Sequence, residues 1–115
     1  MHIFDSEIKV MELLWTNEPI SAKDLSVAAA ETLGWNKNTT YTVIKKLEAK
    51  GYIRRTEPGY VCTSVVSRED VRRTETHGLI DRLFGGSKKA LFSALLDDEL
   101  TEEEFEELRR MIEER

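Results

Sequence analysis

Residues 35–51 read WNKNTTYTVIKKLEAKG, and this stretch decides the fold of the chain. Asn36 is a residue type that caps the start of a helix, and Gly51 is the type that ends one. At about 100° per residue, the helix between them has two unlike faces. Its apolar and β-branched face is made by Thr40, Val43, Ile44 and Leu47. Its polar face is made by Asn38, Tyr41, Thr42 and Lys45, with Lys37 and Lys46 at the flanks. The stretch therefore predicts a helix that packs on one side and presents polar and cationic groups on the other.

Two amphipathic helices are predicted before this stretch. The first runs from Asp5 to Trp15, and Pro19 closes it. Its apolar residues are Ile8, Met11, Leu14 and Trp15. The second begins after Ser21, a favoured N-cap, and ends at Gly34. It is expected to bury Leu25, Ala28 and Ala29.

Two short β-like segments follow the third helix. Residues 52–56 and 60–66 are rich in β-branched and aromatic side chains, and residues 57–59 (EPG) between them are a turn signal. Three helices followed by a two-stranded hairpin is the element order of a winged helix-turn-helix. The chain is therefore predicted to be mainly α-helical, with one small β-hairpin.

Three more helices are predicted in the second half of the chain. Ser67 and Ser87 are candidate N-caps, and residues 101–104 (TEEE) have the pattern of a capping box. The pair Gly85-Gly86 breaks the first of these helices from the second. We place the boundary so that a winged-helix domain covers residues 1–66 and a helical element covers residues 67–115.

Charge is distributed unevenly along the chain. The net charge of −5 on its own opposes nucleic-acid binding. However, residues 36–55 contain six Lys and Arg and one acid, whereas residues 74–115 contain six Lys and Arg and 12 acids. Such a basic island favours a DNA-binding surface, because lysines neutralise phosphates and Asn, Thr and Tyr reach base edges. The alternative is an ordinary solvated helix face. The predicted DNA contacts are Asn36, Lys37, Asn38, Thr39, Tyr41, Thr42, Lys45, Lys46 and Arg54.

The residue types also indicate the cellular compartment and which kinds of chemical site the chain could form. One cysteine, Cys62, gives no internal disulfide and fits a reducing compartment, and it is expected to be a buried structural thiol. We find no signal peptide and no membrane-spanning run, so we expect a cytoplasmic protein with no membrane partner. His2 and His77 are isolated, so no metal is expected. No catalytic constellation or phosphate loop is present, so we expect neither an enzyme nor a cofactor.

Several segments together resemble, in order, the signatures of the penicillinase-repressor family of winged-helix transcriptional repressors. They are residues 6–11 (SEIKVM), 14–15 (LW), 19–24 (PISAKD), 35–47, 50–52 (KGY), 83–87 (LFGGS) and 100–109 (LTEEEFEELR). The resemblance covers nearly the whole chain. It implies a bacterial homodimer in which each winged helix binds half of a palindromic operator and the C-terminal helices form the dimerisation element. The apolar faces of these helices agree, since they are larger than the helices can hide against each other. The expected dimer contacts are Leu79, Ile80, Leu83, Phe84, Leu91, Leu95, Phe105, Leu108 and Ile112.

The resemblance also concerns how the repressor would be released. The penicillinase repressors are inactivated by proteolysis in the dimerisation region, and the bond Ser93–Ala94 lies in the matching stretch, so a regulatory protease is a possible partner. Copper-responsive members carry C-terminal cysteine pairs that this chain lacks. The hairpin tip at residues 57–59 is shorter and less basic than is usual in the family, and the position of Tyr41 is often Arg. These departures leave open a wing contact to DNA and the operator sequence.

Two other functions remain compatible with the same fold. One is a protein-interaction module that binds no DNA, which the net negative charge favours. The other is a regulator that senses a small molecule in a pocket between the helices. The inducing signal and the regulated genes are not specified by the sequence.

Overall fold

The computed structural model describes residues 2–115. Over this range the elements, in chain order, are α1 (Asp5–Asn17), β1 (Ile20–Ser21), α2 (Ala22–Leu33), α3 (Lys37–Ala49), β2 (Ile53–Thr56), β3 (Val61–Ser64), α4 (Arg68–Phe84), α5 (Lys88–Asp97) and α6 (Glu102–Glu113). The mainly helical architecture with a small antiparallel sheet is as predicted.

The helix ends are fixed by local hydrogen bonds that the sequence predicts. Ser21 Oγ accepts from the backbone N–H of Asp24 at 3.0 Å, and Asn36 Oδ1 accepts from the N–H of Thr39 at 2.8 Å. Gly34 ends α2 in the left-handed region, with φ at 71°. At the start of α6, residues 101–104 form both bonds of the predicted capping box. These caps satisfy backbone N–H groups that the first turn of a helix leaves unpaired.

The sheet has three strands rather than the two of the predicted hairpin. β3 is central and pairs antiparallel with β2, with Ile53 opposite Ser64. Its other edge pairs with β1, with Ile20 opposite Cys62. The strand β1 is not predicted by the sequence, because a segment of two residues after Pro19 is too short to show an alternating pattern.

One apolar cluster holds the first three helices and the sheet together. Its fully buried members include Val10, Met11, Leu14, Leu25, Leu47 and Cys62. On α1, Ile8 and Trp15 are only partly buried. The buried face of α1 is centred nearer Val10 than the sequence predicts, and Trp15 Nε1 donates to the carbonyl of Val66 at 2.9 Å. Burial raises the pKa of the Cys62 thiol, so this cysteine is the structural residue that was expected.

Two compact units divide the chain at residues 75 and 76. The first unit extends beyond the predicted boundary at residue 66, because the first half of α4 is bonded to the start of the chain and to α1. Arg68 pairs with Glu12 at 2.9 Å, and Glu75 Oε1 accepts from the backbone N–H of Ile3 at 3.2 Å. In the second unit, α5 and α6 bury none of their residues. Across residues 2–115, no helix is both long enough and apolar enough to cross a membrane.

Candidate nucleic-acid interface

The inner face of α3 packs as the sequence predicts. Thr40, Val43, Ile44 and Leu47 are all buried. The hydroxyl of Thr40 donates to the carbonyl of Asn36 at 3.3 Å, so a polar side chain is accommodated in this core. This packing fixes which side of the helix faces solvent.

The outer face of α3, defined as Lys37, Asn38, Thr39, Tyr41, Thr42, Lys45 and Lys46, is turned away from the core. All of its members are exposed except Tyr41, which is partly buried. Lys37, Lys45 and Lys46 form no ion pair with any residue from 2 to 115. The amine of Lys37 lies 5.6 Å from the centroid of the Tyr41 ring. The outer face therefore presents three lysines that form no ion pair among residues 2–115, beside an aromatic ring and short polar groups.

Hydrogen bonds within the helix limit what two of the expected contacts can do. The side-chain oxygen of Asn36 is already bonded to the N–H of Thr39, so Asn36 acts as a cap with only its amide N–H groups left to donate. The hydroxyl of Thr42 donates to the carbonyl of Asn38 at 2.9 Å. Because this hydroxyl is turned to the backbone, the methyl group of Thr42 becomes its main outward feature.

Two of the six basic residues in the island are not available to a ligand. Lys50 Nζ lies 2.6 Å from Glu7 Oε1, and its side chain is only 19% exposed. Arg55 Nε lies 3.3 Å from Glu48 Oε2, and its guanidinium stacks 3.5 Å from the centroid of the Tyr60 ring. The remaining cations are Lys37, Lys45, Lys46 and Arg54. A count of charges along the sequence could not reveal that Lys50 is paired, because Glu7 is 43 residues from Lys50.

Arg54 is the exposed cation of the wing. It lies on β2 opposite Thr63, and successive residues of a strand point to opposite faces of the sheet. Arg54 therefore points away from the Glu48 and Tyr60 side chains that hold Arg55. The turn at residues 57–60 (EPGY) adds no further cation.

The expected dimer contacts divide into three groups by exposure. Leu83 is 69% exposed, and Leu95, Phe105 and Ile112 are also exposed. Half-buried positions are Leu79, Phe84, Leu91 and Leu108. Ile80 is only 6% exposed and so contributes no open surface. On α5 and α6, three further large apolar side chains are exposed that the predicted dimer contacts did not include, namely Phe92, Leu96 and Met111.

The residues of the expected cleavage bond are accessible but structured. Ser93 and Ala94 are both exposed and both lie inside α5. A protease cleaves an extended chain, so this turn of the helix would have to open before cleavage.

The fold and the outer face of α3 define a winged-helix protein of the DNA-binding class, since α2 and α3 form the helix-turn-helix and β2 and β3 form the wing. The chain belongs to the penicillinase-repressor family, whose model, described as "Penicillinase repressor", matches residues 3–114. This is a family of transcriptional repressors rather than of enzymes.

Named relatives agree with this assignment. The methicillin resistance regulatory protein MecI of Mammaliicoccus sciuri is 25% identical over 113 residues, covering 96% of this chain and 92% of the relative. The penicillinase repressor of Staphylococcus aureus is 27% identical over 110 residues, covering 93% of this chain and 87% of the relative. The solution structure of the DNA-binding domain of the repressor BlaI matches with a TM-score of 0.54 and 25% identity, covering 60% of this chain and 87% of that domain.

Proposed function

We propose that this protein is a transcriptional repressor that binds a palindromic operator as a homodimer, with α3 of each copy in the major groove. The observation that carries the proposal is the outer face of α3, where three lysines have no ion-pair partner among residues 2–115. Phosphates are the partner that exposed cations without an ion pair suit, because their contact releases condensed counterions. A winged-helix neighbour that is itself a DNA-binding domain supports the same function.

The side chains of this surface divide into two kinds of contact. Lys37, Lys45, Lys46 and Arg54 suit phosphates, which position the protein and set its salt dependence. Base edges are assigned to Asn38, Thr39, Tyr41 and Thr42. Asn36 is assigned mainly to capping α3, with its amide N–H groups directed at the backbone of the DNA.

A second copy of the chain is the proposed cover for the C-terminal apolar faces. In one chain α5 and α6 bury no residue, and Phe105 and Ile112 are about half exposed, at 47% and 56%. Apolar surface left open in this way is typical of an interface. The 12 acids in residues 74–115 would repel DNA, which keeps this unit available for assembly.

The decisive experiment is selection of duplexes from a random pool by the full-length chain. We expect enrichment of a palindrome whose half-sites lie about one helical turn apart or a multiple of it, bound by two chains. Sedimentation of the complex gives the number of chains. If no duplex is enriched by a chain that is folded and dimeric, the protein-interaction module is the correct function instead.

Release by cleavage of the Ser93–Ala94 bond is proposed as the switch. The exposed position of both residues supports it. Cleavage there would separate α6, with Phe105, Leu108 and Ile112 of the proposed dimer surface, from the DNA-binding unit. Incubation with lysate from induced host cells should yield a fragment that ends at Ser93, identified by intact mass. An intact chain after incubation with that lysate would contradict this mechanism.

A further inference from the structure

The amine of Lys50 is held in a cage at the start of α1. It lies 2.6 Å from Glu7 Oε1, donates to the carbonyl of His2 at 3.1 Å, and sits 4.6 Å from the centroid of the Phe4 ring. Lys50 is also the C-cap of α3. The cage therefore joins the far end of the α3 helix to the first turn of α1.

Both charges also suit the helix ends that carry them. Glu7 lies in the first turn of α1, where its Oε1 also accepts from the N–H of Phe4 at 2.8 Å. A carboxylate is favoured at a helix N-terminus and an ammonium at a helix C-terminus. The pair thus connects the positive end of one helix dipole with the negative end of another.

Stability alone is a weak reason for such a pair. The side chain of Glu7 is 2% exposed, so both charges are placed there at a large desolvation cost. Apolar residues of similar volume commonly replace buried ion pairs without loss of stability. What an ion pair adds is a specific relative position of the two helices. Its attraction weakens when the helices slide, whereas apolar contacts such as those of Leu47 tolerate small shifts.

We propose that Lys50 and Glu7 are positioning residues that set the register of the recognition helix on α1. This inference rests on the proposed function, because it concerns how α3 is aimed at DNA. Lys50 itself makes no phosphate contact, since its charge is matched by Glu7 and its amine is enclosed. Lys45 and Lys46, by contrast, form no ion pair among residues 2–115 and are the proposed phosphate contacts.

The test uses full-length chains and a duplex selected by the wild type, with affinity measured over a series of KCl concentrations. Lys50→Met should weaken binding about tenfold and leave the slope of log affinity against log salt unchanged. The matched control Lys45→Met should weaken binding and reduce the magnitude of that slope by about 0.9. A reduced slope for Lys50→Met would make Lys50 a phosphate contact and overturn the proposal.

A second variant separates positioning from stability, and it also covers the case in which Lys50→Met does not fold. In Glu7→Leu/Lys50→Met both charges are replaced by apolar groups, so the melting temperature should return to within a few degrees of the wild type. Its affinity for the duplex should stay low if the pair sets the register. Wild-type affinity in this double variant would overturn the proposal. If the wild-type chain itself binds no duplex, the proposed function fails, and this result is distinct from either outcome above.

Discussion

Arg55 Nε lies 3.3 Å from Glu48 Oε2, and this ion pair ties β2 to the last turn of α3. The neighbouring Arg54 points away from this pair and is exposed. Two adjacent arginines therefore differ in environment: Arg55 is paired within the protein, whereas Arg54 is exposed and is the proposed DNA contact.

Substitution of each arginine by alanine should separate the two roles. Arg54→Ala should weaken operator binding and reduce the magnitude of the salt slope by about 0.9, with no change in melting temperature. Arg55→Ala should lower the free energy of unfolding by about 1 kcal/mol through loss of the Glu48 and Tyr60 contacts. Urea unfolding and a salt series on the duplex measure both effects. A salt slope that falls for Arg55→Ala and not for Arg54→Ala would reverse the assignment.

Two of the three exposed lysines on the outer face of α3, Lys45 and Lys46, should contribute equally to binding of every DNA sequence. Lys45→Ala and Lys46→Ala should each weaken binding to specific and random duplexes by similar factors, because phosphates carry no sequence information. Lys88→Ala is the matched control, since it removes an exposed lysine from α5 in the other unit. Equal affinities for the wild type and all three variants would exclude this face from the interface.

Thr42 should distinguish bases through its methyl group. Its hydroxyl is bonded to the carbonyl of Asn38, so the methyl group is free to contact the C5-methyl group of thymine. Thr42→Val keeps the methyl group and should keep the selected sequence, whereas Thr42→Ser should relax preference at one base pair by about 1 kcal/mol. Duplex selection with each variant measures this. The reverse order, with serine retaining the preference, would make the hydroxyl the reading group.

The apolar face of α6 should hold the dimer. Phe105→Asp or Ile112→Glu would bury a charge in the proposed interface, which costs several kcal/mol, so each variant should be monomeric at micromolar concentration. Light scattering gives the mass, and Glu103→Gln, an exposed change on the same helix, is the control. A dimer that survives both apolar substitutions would place the interface elsewhere.

Stability should depend on the charge of Glu7. Burial raises the pKa of this carboxyl. The hydrogen bonds from Lys50 and from the N–H of Phe4 have the opposite and, together, the larger effect, so the net pKa lies below the ordinary value of 4.5. A depressed pKa means that the stabilisation is present above pH 4.5 and is lost as pH falls through the folded-state pKa. Glu7→Gln should therefore cost about 3 kcal/mol at pH 7, and progressively less as the pH falls below 4.5, as followed by urea unfolding. A cost that does not vary with pH would mean that the ion pair contributes nothing.

Local signals account for what the sequence predicted well. Ser21 and Asn36 cap helices through bonds to residues three positions away, and Gly34 ends a helix by its own backbone freedom. The α3 faces likewise follow from one helical period. For that reason the helices, the hairpin and the outer face of α3 could be predicted from the sequence.

Long-range pairing accounts for what the sequence did not reveal. β1 exists only because β3 lies beside it, and the cage around Lys50 exists only because the start of α1 meets the end of α3. Both arise from contacts between residues that are 40 or more positions apart in the sequence. Local propensity contains no record of such contacts, so Lys50, whose partners Glu7 and His2 are far away in the sequence, could not be distinguished from the exposed lysines.

The position of β3 in the middle of the sheet has a consequence for how this protein can diversify. One side of β3 pairs with β1. The N–H of Ala22 also donates to the carbonyl of Tyr60 at 2.9 Å, so the start of β3 is anchored to the beginning of α2. Residues 57–59, beyond that anchor, are all exposed. Insertions there would lengthen the wing without disturbing the helices and strands on which α3 packs, and would extend any contact that the wing makes with DNA. Small changes in this one turn could therefore alter the length of operator that the protein covers, while the rest of the fold stays the same.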